Sequence, residues 1–167
     1  TNQDGSALID LYIEMIYHKV LGYSSAGFNS RRINTGQKVA VWTQDYFDSA
    51  ETNSDRQYER GVFASVYDSG SWGKAQLLSK YGVDPSVASN GQSFLVTYYV
   101  SASPGGSLRA RVYANSTWSA AEGLDANVYE SSLAAGDTGY AVAWEANSSG
   151  NWGVYTRLYD DTNGWEA

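Results

Sequence analysis

The sequence contains no cysteine and only one histidine. Without cysteine the chain has no disulfide framework, no thiol nucleophile and no zinc–thiolate site. A nucleophilic triad also needs a base that titrates near neutrality, and His18 is the single side chain of that kind. We interpret His18 as a structural residue, and we expect no catalytic residue, no bound metal and no cofactor.

Positive charge and long apolar runs are also scarce. The chain has 11 Lys and Arg against 18 Asp and Glu, which gives a net charge of −7. Binding to a phosphate backbone depends on concentrated Lys and Arg, so we expect no nucleic-acid partner. No stretch approaches the roughly 20 apolar residues of a membrane-spanning helix, so we expect no membrane span.

Strand-forming and turn-forming residues are abundant instead. The chain has 14 Tyr, 6 Trp and 17 Gly, and 43% of its residues are hydrophobic, which is enough for a core without a disulfide or a metal. This composition is typical of secreted β proteins. We therefore expect an all-β fold and an extracellular or cell-surface location.

A repeat of 46 or 47 residues organises most of the chain. Three segments with alternating apolar side chains end in a tyrosine, and each is followed by a polar turn and a tryptophan. These pairs are Tyr67 with Trp72, Tyr113 with Trp118, and Tyr159 with Trp165. Because another apolar strand precedes each segment, each unit is predicted to be a four-stranded antiparallel meander. Both faces of the alternating segments carry packing residues, so we expect successive sheets to stack.

The three repeats are assigned to residues 30–83, 84–129 and 130–167, and residues 1–29 form an N-terminal segment that does not match them. Apolar residues in this segment fit a helical stripe, and a strand over residues 11–17 fits nearly as well. The stripe consists of Leu8, Leu11, Tyr12, Met15, Ile16, Lys19 and Val20. We expect the helix.

The meander, its spacing and the turn that leads to a tryptophan resemble the blades of β-propellers, in particular those of secreted bacterial surface proteins and propeller lectins. The resemblance covers residues 28–167, and the turn at residues 68–72 also resembles a shortened Asp-box of sialidase-type propellers. Propellers close with about four to eight blades. The resemblance therefore implies a partial propeller, completed by the N-terminal segment, by other chains or by a longer parent polypeptide.

Repeated tryptophan, arginine and acidic residues form the candidate ligand site. Aromatic rings stack on the C–H faces of sugars, while guanidinium and carboxylate groups hydrogen-bond their hydroxyls. Propeller lectins place such trios between neighbouring blades, and the resemblance implies the same location here. The candidates are Arg111, Trp118 and Glu122 in the second copy, and Arg157, Trp165 and Glu166 in the third, where the first copy has Ser65 and Lys74. A tryptophan at one place in every unit is also explained by packing alone.

Two acidic segments suggest other chemistry. Paired carboxylates for glycoside hydrolysis are available from Asp45, Asp48, Glu51, Asp55 and Glu59, although loop acids at such spacing are common. The turn at residues 160–164 offers oxygen ligands for calcium or is a simple polar turn. We expect the polar turn, because the other copies lack its paired acids.

The sequence predicts a non-enzymatic extracellular binding or adhesion module, with carbohydrate as its ligand. The alternative is a structural or assembly subunit that self-associates through strand edges and the N-terminal segment. A third interpretation, a glycan-cleaving enzyme, requires acids supplied from outside the three repeats.

Overall fold

The computed structural model describes residues 29–32, 36–47, 58–100, 106–148 and 150–166. These residues form β-strands joined by turns and contain no helix, which confirms the predicted all-β class for this part of the chain. Accordingly, the described ranges include no helix long and apolar enough to cross a membrane. Residues 1–28, which carry the helical stripe, its strand alternative and His18, lie outside the described residues.

The strands form three antiparallel sheets that follow one another along the chain. The first sheet consists of β1 (Asn29–Arg32), β2 (Lys38–Phe47), β3 (Tyr58–Asp68), β4 (Ser71–Trp72) and β5 (Gln76–Lys80). The middle sheet consists of β6 (Gly82–Ser89), β7 (Phe94–Val100), β8 (Ser107–Ala114), β9 (Thr117–Trp118) and β10 (Glu122–Ala126). The last sheet consists of β11 (Val128–Ala135), β12 (Gly139–Ser148), β13 (Asn151–Asp160) and β14 (Gly164–Trp165). In the first two sheets, the two short strands lie one after the other beside β3 and β8 and act as a single fourth strand.

The same residue pairs recur in all three sheets. Each repeat tyrosine lies opposite its tryptophan, at Tyr67–Trp72, Tyr113–Trp118 and Tyr159–Trp165. The ring centroids of these pairs are 5.5, 5.0 and 5.2 Å apart, within the range of favourable aromatic contacts. In the first two sheets a two-residue turn precedes the tryptophan, and Ser69, Gly70, Asn115 and Ser116 all have positive φ there. Such turns match the twist of paired strands.

The first and middle sheets pack face to face, and we name this contact the first junction. Its core consists of Val39, Val41, Val62, Ala64 and Leu78 from the first sheet, with Val87, Phe94, Val96, Tyr98 and Tyr113 from the middle sheet. Fully burying a Val, Leu or Phe side chain contributes about 1.5–3 kcal/mol. Apolar contact between whole sheet faces therefore holds the first junction together.

The middle and last sheets pack in the same way, and we name this contact the second junction. Its core consists of Ala88, Leu95, Leu108 and Val112 from the middle sheet, with Val128, Tyr140, Val142, Trp144 and Ala146 from the last sheet. Neighbouring residues of a strand point to opposite faces. Leu95 and Val96 therefore enter different junctions, and both are 0% exposed because the middle sheet is covered on both sides.

The last sheet has a face that points away from the middle sheet, and we name it the outer face. Val154 lies on this face at the repeat position of Val62 and Leu108. Val62 and Leu108 are 0% exposed, whereas Val154 is 78% exposed and Leu158 on the same face is 44% exposed. The outer face thus exposes apolar side chains whose counterparts in the other two sheets are buried or partly buried.

Candidate functional site

The structure divides the six candidate residues between the two junctions. Trp118 packs against the core of the first junction, and Arg111 lies on the same face of the middle sheet. Glu122 lies opposite Ala110, which is next to Arg111 in β8 and points to the other face. The structure therefore does not bring Arg111 and Glu122 together, because their side chains lie on opposite faces of the middle sheet.

Glu122 instead meets the third-copy candidates at the second junction. Arg157 Nη1 donates a hydrogen bond to Glu122 Oε1 over 3.1 Å. Arg157 Nε donates to the backbone carbonyl of Glu166 over 2.9 Å, and Arg157 Cζ lies 5.4 Å from the centroid of the Trp165 ring. Four of the six candidates thus converge, with Glu166 contributing its backbone.

Strand geometry explains this convergence. Arg157 and Tyr159 alternate onto the same face of β13, and Trp165 lies opposite Tyr159, so the indole comes to lie beside the guanidinium. Glu122 begins β10 at the edge of the middle sheet and reaches Arg157 across the junction. A guanidinium has five N–H donors. Two are used here, so the second junction presents three further donors and Glu122 Oε2 beside an aromatic ring.

These contacts contribute little to stability. The side chains of Arg157 and Glu122 are 27% and 45% exposed, and a solvent-exposed ion pair of this kind contributes about 0–1 kcal/mol. A guanidinium over an exposed indole contributes about 0.5–1 kcal/mol. Arg157 and Glu122 can therefore exchange their mutual contact for a ligand without loss of the fold.

A second acid of β10 also acts across the second junction. Asp125 Oδ2 accepts a hydrogen bond from Trp144 Nε1 over 2.7 Å. Trp144 is 6% exposed, so this bond satisfies a donor that water does not reach freely. No periodic signal predicts Asp125, because its partner lies on the next sheet.

A polar cluster at the hairpin end of the second junction also escapes prediction from the sequence. Ser93 Oγ lies 2.8 Å from the hydroxyl of Tyr140 and donates to Asp161 Oδ1 over 2.9 Å. Asn90 Nδ2 donates to the other oxygen of Asp161. Burial raises the pKa of Tyr140 to about 12, although its hydrogen bonds with Ser93 Oγ and with the Asn90 backbone N–H lower it. This cluster connects the β6–β7 hairpin to the last sheet.

The first junction contains donors that lack acceptors. Arg111 Nε, Trp118 Nε1 and the hydroxyl of Tyr98 are buried and have no hydrogen-bond partner in the described part of the chain. The repeat places Gln76 opposite Ala64, where the second unit has Glu122 opposite Ala110. Comparing the copies position by position in the sequence would have found Gln76, because it lies 46 residues before Glu122.

In the described part of the first acidic segment, two carboxylates lie apart from each other. Asp45 forms an ion pair of 2.9 Å with Arg60, whereas Glu59 lies opposite Tyr46 and so points to the other face of the first sheet. These two acids therefore cannot act as a pair; Asp48, Glu51 and Asp55 lie outside the described residues.

In the turn after β13, the side chain of Asp160 is hydrogen-bonded within the turn itself. Asp160 Oδ1 accepts hydrogen bonds from the backbone N–H groups of Thr162 and Asn163 and from Asn163 Nδ2, each over 2.9 Å. This is the geometry of a polar turn. Within the described ranges, no three His, Asp or Glu side chains are grouped as metal ligands.

Comparison with known proteins does not indicate a function for this chain. No model of a known protein family matches the chain, and no curated protein matches its sequence. What the protein binds is therefore inferred from the side chains at the junctions.

Proposed function

We propose that the protein is a non-enzymatic binding module that acts outside the cell or at the cell surface and binds carbohydrate at its sheet junctions. The observation that carries this proposal is the convergence of Arg157, Glu122 and Trp165 from two different sheets. The composition, rich in tyrosine and tryptophan and free of cysteine, supports the location only as one typical of secreted β proteins.

The chemistry of the second junction suits a sugar. Neighbouring hydroxyls of a pyranose donate and accept hydrogen bonds, and Arg157 with Glu122 presents donors and an acceptor side by side at the surface. Trp165, which is partly exposed, offers an apolar surface for sugar C–H groups next to them. Binding requires only that the ligand replace a weak, solvent-exposed ion pair.

We also propose that the three sheets are consecutive blades of a β-propeller, of the kind found in secreted bacterial surface proteins and propeller lectins. Three meanders with the same tyrosine–tryptophan register support this arrangement. So does the middle sheet, which is buried between its neighbours on both faces as an inner blade is. The exposed outer face is where a further blade would pack.

A glycan array, followed by calorimetry on the best ligand, tests the carbohydrate proposal. We expect the protein to bind a glycan and the variant Glu122→Gln to bind it at least tenfold more weakly, because the acceptor beside Arg157 loses its charge. Arg157→Lys, which keeps the charge but not the planar fork, should have a similar effect.

The matched control is Glu145→Gln, which removes one charge from an exposed acid on the outer face. This variant should bind as the unmodified protein does, and circular dichroism should show the same fold for all variants. Binding to no glycan, or equal binding by all four proteins, would contradict carbohydrate recognition at the second junction.

A second candidate function, assembly with other chains, is favoured by the open edge of β13. β3 pairs with β5 at Gly61–Ala64, and β8 pairs with β10 at Ser107–Ala110. The corresponding residues of β13, Gly153–Thr156, have no fourth-strand partner in the described part of the chain. An unpaired strand edge beside an exposed apolar face can pair with a strand of another chain.

Sedimentation velocity over a range of concentrations tests assembly. We expect oligomers that dissociate in Val154→Lys, because a charge on the outer face has to be desolvated at an interface. Thr162→Lys, which places the same charge in an exposed turn, serves as the control. A monomer at every concentration would rule out self-association through this surface.

A further inference from the structure

We propose that the first junction binds a saccharide that carries a carboxylate, and that this carboxylate pairs with Arg111 beside Trp118. The assignment rests on the proposed carbohydrate binding and names the ligand class of one junction. It follows from the differences between two junctions whose residues match position by position along a repeat of 46 residues.

Arg111 has a donor that its counterparts use and it does not. In the last sheet Arg157 Nε donates to the backbone carbonyl of Glu166 over 2.9 Å. In the first sheet Ser65 Oγ, at the same repeat position, donates to the carbonyl of Gly73 over 2.8 Å. Arg111 Nε is buried without any hydrogen-bond partner among the described residues. Leaving a guanidinium donor buried and unpaired is unfavourable, and only an acceptor can satisfy it.

Trp118 supplies a second unpaired donor on the same face. Arg111 and Tyr113 alternate onto one face of β8, and Trp118 lies opposite Tyr113. Trp118 Nε1 is buried without a partner, and an indole N–H can only donate. Trp72 Nε1 is unpaired as well, but Ser65 takes the place of the arginine there. The first junction alone therefore combines an unpaired guanidinium N–H with an unpaired indole N–H within the described structure.

The second junction shows which group accepts from the guanidinium. There the carboxylate of Glu122 pairs with Arg157 over 3.1 Å. The first junction has Gln76 at the repeat position of Glu122, so the chain offers a neutral amide there and not an acid. A ligand carboxylate at the position that Glu122 holds in the second junction would pair with Nη1 of Arg111, as Glu122 pairs with Nη1 of Arg157. Because Arg111 and Gln76 are partly or fully exposed, the ligand can approach from solvent.

A second acid is missing from the first junction in the same way. Asp125 accepts from Trp144 at the second junction. Ser79 holds the position of Asp125 in the first sheet, and its hydroxyl donates to the carbonyl of Lys80 instead. Tyr98, the counterpart of Trp144, keeps a buried hydroxyl without a partner. The first junction thus lacks both carboxylates that satisfy the donors of the second.

Two oligosaccharides that differ at one carbon test the proposal. One ends in glucuronic acid and the other in glucose, so only the first carries a carboxylate at C6. Titration calorimetry with the intact chain should show at least tenfold tighter binding of the acidic oligosaccharide, because its carboxylate adds a charge-assisted, bidentate contact with Arg111. Acetate at the same concentration should not compete, because the saccharide supplies the remaining contacts.

The variant Gln76→Glu places an acid of the chain itself at the repeat position from which Glu122 reaches Arg157 in the second junction. We expect this variant to keep the fold and its binding of the neutral oligosaccharide, and to lose the preference for the acidic one. Gln92→Glu, which adds the same charge to an exposed hairpin residue of the middle sheet, should keep the preference. Arg111→Lys provides a second variant and should lower the preference because it lacks the fork.

Each outcome bears on the proposal separately from carbohydrate binding in general. Equal binding of the two oligosaccharides by the unmodified protein would overturn the carboxylate site and leave the proposed function standing. A preference that survives Gln76→Glu would place the carboxylate elsewhere, and effective competition by acetate would exclude a saccharide-specific site. Failure to bind either oligosaccharide or any array glycan would overturn both proposals.

Discussion

The second junction satisfies its donors with its own acids, whereas the first junction has neutral residues at the same positions. Glu122 and Asp125 accept from Arg157 and Trp144. Gln76 and Ser79 hold the positions of the two acids at the first junction, where Arg111 Nε and the Tyr98 hydroxyl are unpaired among the described residues. The repeated backbone thus sets the positions of the side chains. The residue types at two of these positions decide whether the donors of a junction find acceptors within the chain. Four predictions test this comparison.

The largest loss of stability is expected from truncating a core residue, because both junctions are held together by apolar cores. Phe94 belongs to the first core and Leu95 to the second, and both are 0% exposed. We expect Phe94→Ala to lower the free energy of unfolding by about 3–5 kcal/mol and Leu95→Ala by about 2–5 kcal/mol. Urea denaturation in dilute solution measures both.

Leu158→Ala on the outer face is the control for these two variants. Leu158 is 44% exposed, so this truncation should change the free energy of unfolding by no more than about 0.5 kcal/mol. A loss comparable to that of Leu95→Ala would show that the outer face is as well covered as the two junctions.

Asp125→Ala tests whether the polar contacts of the two junctions differ in their contribution to stability. The variant leaves Trp144 Nε1 buried without an acceptor, and we expect a loss of about 1–3 kcal/mol. Asp125→Asn keeps an acceptor and should lose less. Ser79→Ala, at the matching position of the first sheet, should change stability by about 0.5 kcal/mol at most. Equal losses for Asp125→Ala and Ser79→Ala would remove the distinction between the junctions.

Alkaline pH should weaken the second junction through Tyr140. Burial raises the pKa of this phenol from 10.0 to about 12, so the folded state holds a proton that the unfolded state releases first. Its contribution to stability is therefore complete below pH 10 and is lost as the pH rises from 10 to about 12. Denaturant unfolding at several pH values should show this decline.

Tyr140→Phe should make the decline between these pH values shallower, because the substituted ring has no proton to release. Burial also raises the pKa of Tyr99 and of Tyr159, so part of the decline should persist. Tyr129→Phe alters an exposed ring and serves as the control. An unchanged profile in Tyr140→Phe would mean that folding does not change the pKa of this hydroxyl.

The sequence predicts contacts between residues that are close along the chain better than contacts between different sheets. The pairing of Tyr67 with Trp72 follows from a short alternating segment and its turn, and the repeat extends it to the other two sheets. The contact between Glu122 and Arg157 joins different sheets, so a pattern within one copy assigns Glu122 to Arg111 instead. Alternation in β8 and β10 corrects that assignment only once the pairing of Glu122 with Ala110 is known.

The polar cluster at the second junction could not be predicted from the sequence for a different reason. Ser93 contacts Tyr140 and Asp161, but the matching hairpin of the last sheet has Gly139 at the position of Ser93. A feature present in one copy leaves no trace in the repeat. Its residues are 47 and 68 positions apart along the chain, so no local pattern connects them either.

The smallest effect is expected where the two junctions differ by a single charge. Glu122→Gln should lower the free energy of unfolding by less than about 1 kcal/mol, because the ion pair with Arg157 is partly exposed to solvent. Gln76→Glu should raise it by a similar amount if the repeat holds, since the new acid takes the position of Glu122 and would pair with Arg111. Both changes should shrink in high salt, which screens exposed charges. If Gln76→Glu instead destabilises the fold, the two junctions are not equivalent in geometry, and the position of Glu122 is no guide to a ligand bound at Arg111.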